Sequence, residues 1–243
     1  MEHRNNIKLS ERLAMSAGMV TAGSSVADVG CDHAHTCIWL VKHGGAPKAV
    51  AMDVRPGPLS HAEANIRLYG LNEIIKTRLS DGLDALKPGE TDTIIIAGMG
   101  GTLTVQILEK GLDKAKAARE LILQPQSDLG MVRRFLREHG FRILEEKMCK
   151  EQGKFYTSMK AVYEEQQRES EDNFLQSVYD EFGECLLADR NEILYEVLLI
   201  LKGKNQRILD KISEEGSEES IERRAFFENE KELIQTALRF YDV

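Results

Sequence analysis

The sequence predicts an α/β protein of the doubly wound kind with a helical appendage, and three observations predict it. Short apolar runs rich in β-favouring residues alternate with stretches of helical period between Val26 and Val162. Those runs end in small polar turns, and four carboxylates, Asp28, Asp32, Asp53 and Asp81, stand at the strand ends. Beyond Glu164 the composition turns acidic and entirely helical. Strands buried on both faces read as continuous apolar runs, and open sheets of this kind bind ligands outside the carboxyl ends of their strands.

Taken in order, Ser10 to Met15 reads as a short helix with Ser10 as its N-cap. Val26 to Val29 is the first strand, Gly30 permits a tight turn, and Cys37, Ile38, Leu40 and Val41 carry the helical period that follows. Ala49 to Val54 is a second buried strand, Arg55-Pro56-Gly57-Pro58 turns the chain, and Leu59, Ala62, Ile66 and Tyr69 line a helix ending at Gly70. Ile74 to Leu79 supplies a third strand, closed by Ser80-Asp81-Gly82, and Pro88-Gly89 separates a short helix from a fourth strand, Thr93 to Ala97. Gly98-Met99-Gly100-Gly101 then opens another helix. Leu121 to Leu123 is a fifth strand, Leu129 to His139 a helix, Phe141 to Lys147 a sixth strand and Lys154 to Tyr163 a seventh. No helix separates the last two, which predicts a hairpin and an antiparallel final strand on a mostly parallel seven-stranded sheet. The predicted domains are 1–163 and 164–243.

In the second domain Ile193, Val197, Ile200, Leu201, Ile208 and Ile212 form one apolar stripe, Gly216 breaks it, and Ile221, Phe227, Ile234, Leu238 and Tyr241 form another. Two antiparallel helices in a coiled-coil hairpin would bury both stripes. Such an arm either grips a partner or packs only on itself.

The net charge of −8 divides unevenly: residues 1–160 hold 22 Lys+Arg against 19 Asp+Glu, and residues 161–243 hold 10 against 21. The acid sits in the tail, and the mildly basic first part leaves room for a local patch that meets phosphates. No run approaches the length of a membrane span, the N-terminal residues lack a signal-peptide pattern, and the four cysteines have no framework spacing, so the chain is expected to be cytoplasmic, without membrane attachment and with reduced thiols. Nothing in the sequence sets an oligomeric state.

The chemistry follows from the strand ends. Gly30-Cys31-Asp32-His33-Ala34-His35 lacks the later glycines of a dinucleotide turn, and four carboxylates repel a pyrophosphate. Asp53 stands 23 residues past Gly30, where these folds hold a ribose by its hydroxyls. A nucleoside carrying cationic groups fits, and S-adenosylmethionine has an ammonium, a sulfonium, ribose hydroxyls and no phosphate. Cys31, His33, His35 and Cys37 resemble zinc ligands, but a helix beginning among them would spread them around its axis, so no metal is expected. His33 is a site candidate beside Asp32, with capping or packing as the alternative. The loop from Gly98 to Gly101 offers backbone groups and a soft Met99 but no nucleophile, which suits an acceptor ring nitrogen that needs alignment more than a base.

With those residues assembled, the chain resembles the TrmK family, bacterial tRNA methyltransferases acting on N1 of adenine 22. The resemblance is carried by Leu9-Ser10-Glu11-Arg12-Leu13, Val26 to Ala34, Leu79 to Leu83, Ile95 to Gly101, Leu121 to Gln126 and Gly153-Lys154-Phe155-Tyr156. It implies a Rossmann-like class I methyltransferase domain, a C-terminal helical coiled-coil domain, S-adenosylmethionine as cofactor and a folded tRNA as partner. On that resemblance Asp28 and Gly30 shape the methionine pocket, Asp53 holds the ribose, and Asp81 with Gly82 sits by the cofactor's adenine. Cys31, Asp32, His33 and Val54 complete that side. Ala97, Gly98, Met99 and Gly100 border the reacting methyl, the last three positioning the acceptor without a general base. Arg12, Gln124, Pro125 and His35 fall to the substrate. Arg12 taken alone reads as a solvated helix charge. His35-Thr36-Cys37 stands where the family usually has Tyr-Leu-Pro, and His35 retains a ring that can stack on a base. The rival readings are a methyltransferase of the same fold with another acceptor, and a cofactor-binding scaffold without turnover.

Overall fold

Val26–Val29 (β1) is buried along its whole length and pairs in parallel with Ala49–Asp53 (β2) on one side and Thr93–Met99 (β4) on the other. Ile75–Leu79 (β3) extends the sheet beyond β2, and Glu120–Pro125 (β5) extends it beyond β4, both in parallel. Lys154–Tyr163 (β7) runs antiparallel to β5, and Phe141–Glu151 (β6) antiparallel to β7. The order is therefore β3-β2-β1-β4-β5-β7-β6. Its winding reverses between β1 and β4, which puts the switch point between these two strands, and such sheets bind ligands there, outside the carboxyl ends of the strands. This is the Rossmann-like sheet that the sequence predicts, with its antiparallel end.

The computed structural model describes residues 7–165, 173–212 and 218–242, and the chain divides into two units, Met1–Gln167 and Arg168–Val243. In the first, strand alternation sorts the apolar residues into two layers. Ala27, Ile94, Ile96, Leu121 and Leu123 face Gly101–Lys110 (α4) and Leu129–Glu138 (α6), represented by Leu108, Val132 and Leu136. Val26, Ile95 and Ile122 face the other way, toward Glu11–Ala17 (α1), His35–Lys42 (α2) and Pro56–Leu68 (α3), represented by Ala17, Ile38 and Ile66.

Four local expectations are corrected. The short helix before Pro88 is a series of turns, because residues 80–90 are tied to the sheet instead: Arg78 grips Glu90 through two nitrogens at 2.8 and 2.6 Å, holding that carboxyl at about 2. Ser10 occupies the N-cap position of α1, yet its hydroxyl makes no cap bond. Gly98 does not begin a turn: β4 continues to Met99, with an irregularity between Ala97 and Met99 where the register on β5 shifts. Between α4 and β5 a further short helix, Leu112–Ala117 (α5), was not foreseen.

The second unit contains Asn173–Phe182 (α7), Glu184–Ala188 (α8), Glu192–Ile212 (α9) and Glu218–Arg239 (α10). The last two run antiparallel. Tyr241 Oη donates to the Asn191 carbonyl at one end, and Asn205 Nδ2 donates to the Phe227 carbonyl and to Glu230 further along. The buried stripe of α9 is Leu194, Leu198, Asn205, Leu209 and Ile212, displaced from the predicted one; Ile200 is exposed, as is Ile221 on α10. Apolar residues at five consecutive positions, 197–201, leave the phase of the helix ambiguous. The predicted break at Gly216 and most of the predicted linker lie outside the described residues. Among the described residues no helix is long and apolar enough to cross a membrane.

Candidate active site

The candidate site is built from the strand ends inward. Asp28 has the same parity on β1 as Val26, so its carboxyl enters the layer beneath α2, where it is 5% exposed. Its Oδ2 accepts the Cys37 thiol at 3.7 Å. Burial pushes Asp28 up to about 7; the thiol partly offsets this, and Asp53 adds to it. The same surroundings push the Cys31 and Cys37 thiols up, so both stay protonated. Gly30, at φ +72°, turns the chain out of β1, and its amide and that of Cys31 donate to the Met52 carbonyl. A Cβ at Gly30 would stand 2.2 Å from the Met99 Cε, so the methionine at the end of β4 lies directly over the glycine turn. Asp32 and Ala34 also have positive φ, which lets the backbone coil tightly into α2.

Asp53 closes β2, and its Oδ1 accepts the Arg55 amide at 2.9 Å, while Val54 beside it is 57% exposed. The Ser80 amide donates to the Asp53 carbonyl, and Ser80 Oγ bonds the Gly82 carbonyl and the Ala85 amide, which fixes the loop carrying Asp81 and Gly82. Asp81 is exposed and held from α4 by Lys110 at 2.9 Å, a lysine it shares with Asp84.

On the other side of β4 the geometry is built around an arginine and a buried carboxamide. Gln124 on β5 is fully buried; its Oε1 accepts Arg12 Nη1 at 3.1 Å, and its Nε2 donates to the Arg12 carbonyl at 2.9 Å. Arg12 also lies over the Tyr156 ring, 5.6 Å from its centroid, and its amide donates to Glu151. Ser16 on α1 and Ser158 on β7 share a 2.7 Å hydrogen bond beneath this group. The direction in which a Gly98 side chain would project is flanked by Arg12 Nη1 and Gln126 Nε2, and the Gln126 amide is held by the Met99 carbonyl at 2.7 Å. Pro125, buried, pairs with Met99 across the irregularity.

A family model described as a methyltransferase domain matches residues 9–159. A curated Bacillus subtilis protein named tRNA (adenine(22)-N(1))-methyltransferase is 39% identical over 152 residues, 63% of this chain and 64% of that protein, a little under two thirds of its length. The solved structure of the B. subtilis m1A22 tRNA methyltransferase TrmK superposes with a TM-score of 0.85 at 30% identity, covering 96% of this chain and all of that one. The chain belongs to the TrmK family. Streptococcus pneumoniae Sp1610 in complex with S-adenosyl-L-methionine is also similar, with a TM-score of 0.78 and 33% identity over 95% of this chain and all of that one.

Within this TrmK-family chain the predicted residues fall into three groups. Asp28, Gly30, Cys31, Asp53, Asp81 and Gly82 stand at neighbouring strand ends; Arg12, Gln124 and Pro125 border Ala97 to Gly100 from the β5 side. The third group is a histidine stack. The His33 ring lies parallel to those of His35 and His61, each centroid 5.4 Å away, and His33 Nε2 is 3.5 Å from Asp32. His35 thus belongs with His33 rather than with the Arg12–Gln124 couple. Burial holds His35 below its ordinary value, and the neighbouring His33 adds to this. Among the described residues no group of three or more His, Cys, Asp or Glu converges as a metal ion requires. Sequence reasoning missed Gln126, Lys110, His61 and Cys37 as partners. Gln126 stood in a quoted motif two residues past Gln124; the others meet the site only through tertiary contact.

Proposed function

We propose that this chain transfers a methyl group from S-adenosylmethionine to N1 of adenine 22 in tRNA, with residues 1–163 as the catalytic domain, 164–243 as a helical domain and the cytoplasm as its place of action. The observation that carries the reading is Asp28: a carboxyl almost wholly removed from water whose hydrogen-bond partner is a weak thiol donor at 3.7 Å. A buried carboxyl so poorly compensated fits a cationic ligand. The strand-end acids around it fit a ribose and an adenine and disfavour a phosphate. The B. subtilis relatives support the acceptor, and the Sp1610 complex supports the donor.

In this reading Asp28 and the Gly30 turn receive the methionine portion, with Cys31, Asp32 and His33 around it. Asp53, whose Oδ1 is fixed by its own turn, orients Oδ2 toward the ribose, with Val54 alongside, and Asp81 with Gly82 frames the base. The bound donor supplies an electrophilic methyl on a sulfonium. Ala97, Gly98, Met99 and Gly100 form a narrow backbone ledge beside it, where the absence of side chains at 98 and 100 lets a base approach closely. Adenine N1 has a lone pair at neutral pH, so the residues need only align it with the methyl; the sulfonium's charge passes to the methylated base, which is basic enough to keep it at neutral pH, so no proton acceptor is required. Arg12 and Gln124, locked together, present fixed polar groups to a base drawn out of its stack, with Pro125 beside them, while His35 stands apart with His33.

The test is methyl transfer from labelled cofactor to unmodified tRNA, followed by mapping of the modified nucleotide. N1-methyladenine at position 22, absent when that adenine is replaced by guanine, is the expected result; label at another atom or position, or no transfer, overturns the reading.

A further inference from the structure

The β6–β7 hairpin is longer than the sheet it joins. β7 pairs with β5 at Leu121↔Ala161, Ile122↔Lys160 and Leu123↔Met159, a register that sets Thr157 opposite Pro125, the last residue of β5. Residues 154–156 and their β6 partners therefore project past the strand ends by roughly 10 Å at about 3.3 Å per residue. This is the end of the sheet that holds Gly98, and Tyr156 at the root of the projection carries the Arg12 guanidinium. The ribbon is stiff: both residues of its connection, Gln152 and Gly153, have positive φ, as a two-residue hairpin turn of the primed type requires.

Its charges differ in exposure: Glu145, Glu146 and Glu151 are buried or half-buried, and Lys147, Lys150 and Lys154 are exposed. The hairpin's acids are engaged by the protein itself: Glu146 is buried against Arg133 at 2.8 Å, Glu145 meets Lys147 at 2.7 Å, and Glu151 accepts the Arg12 amide. Lys150 and Lys154 are exposed at the tip, Lys150 resting its ammonium 5.0 Å from the Phe155 centroid. Residues 161–243, by contrast, carry 21 acidic against 10 basic residues.

We propose that the tip of the β6–β7 hairpin is an RNA-docking surface, where Lys150 and Lys154 engage backbone phosphates of the strand that delivers the acceptor base to Gly98. The inference rests on the tRNA methylation reading and names the face of the catalytic unit that meets the nucleic acid. Phosphate contacts of this kind fix register and orientation without reading sequence. They release counterions, so each contributes a measurable part of the salt dependence.

The experiment compares the full chain with its Lys150→Glu/Lys154→Glu variant, using unmodified tRNA over a series of KCl concentrations. Loss of two phosphate contacts is expected to make the slope of log affinity against log salt shallower by about 1.5 and to weaken tRNA binding at least about tenfold at low salt. S-adenosylhomocysteine affinity by calorimetry should stay within about twofold, which also reports that the variant is folded. A variant with the tRNA affinity and salt slope of the unsubstituted chain overturns the inference alone. An unsubstituted chain that transfers no methyl to tRNA overturns the reading beneath it, and the inference with it.

Discussion

Arg12 and Gln124 hold each other at two points, side chain to side chain at 3.1 Å and Gln124 amide to Arg12 carbonyl at 2.9 Å, across 112 residues of sequence. The carboxamide is fully buried, so it cannot turn to water when its partner leaves. Gln124→Ala therefore frees the guanidinium and the start of α1 together. We expect kcat/KM for tRNA to fall by about ten- to a hundredfold, equivalent to roughly 1.4 to 2.7 kcal/mol of transition-state stabilisation. S-adenosylhomocysteine affinity should be unchanged; a matching loss in calorimetry would move Gln124 to the cofactor side.

In the proposed role, Asp28 should couple cofactor binding to pH. Its folded-state value, raised to about 7 mainly by burial, means that the carboxyl is largely protonated below neutrality, whereas a cationic ligand needs it ionised. Affinity for S-adenosylhomocysteine should rise with pH and level off above about 7, falling by up to about tenfold per unit below it. Cys37→Ala removes the thiol that holds the value down and should move the midpoint to higher pH; Asp28→Asn should flatten the profile. The sign for stability is opposite to that of a salt-bridged acid. A raised carboxyl favours the folded state least once ionised, so without ligand its contribution worsens as pH climbs from about 4 toward 7, and Asp28→Asn should melt higher than the parent at pH 8. A pH-independent affinity in the parent chain would refute the coupling.

Gly30 faces two obstacles to a side chain, its φ of +72° and the Met99 methyl at 2.2 Å. Gly30→Ala should destabilise by about 1–2 kcal/mol, set by the backbone, because the methionine methyl is the far end of a flexible side chain that can swing aside. In a double-mutant cycle by urea unfolding, Met99→Ala should therefore recover little of the loss, with a coupling below about 0.5 kcal/mol. A coupling of about 1 kcal/mol or more would show that the methionine is held rigidly over the turn.

The Arg133–Glu146 pair between α6 and β6 is 4% and 0% exposed. Arg133→Leu leaves a carboxylate without its charge partner in an apolar layer and should cost about 3–5 kcal/mol in denaturant unfolding. Replacing both, Arg133→Met with Glu146→Leu, should restore most of that loss. Equal destabilisation in the single and double variants would show that the pair acts through packing instead.

How much of this was legible in the sequence depends on how locally each feature is encoded. The runs around Val26, Ala49, Thr93 and Leu121 are apolar on both sides, and Asp28, Asp53 and Asp81 mark the ends of the first three strands without any knowledge of neighbours. Gly98 was misleading because three glycines in four residues signal a turn, whereas the sheet absorbs the first as an irregularity inside β4. Helix α9 was misread by phase, since Leu198 to Leu201 offer every side of the helix to a core and only the partner helix selects one. The histidine stack, the Lys110 bridge to Asp81 and the Cys37 thiol on Asp28 are invisible locally. Each depends on which elements the topology brings together.

That topology also sets an order of assembly. Arg12 precedes every strand of the sheet in the chain, yet its hydrogen-bond partner lies on β5 and the ring beneath it on β7. The acids of β1, β2 and the loop after β3 are all synthesised well before either. The strand ends that carry Asp28, Asp53 and Asp81 are complete on a growing chain before β5 and β7 exist, so the helix that stands ahead of the sheet in sequence can take its seat only after the sheet's last strand is made.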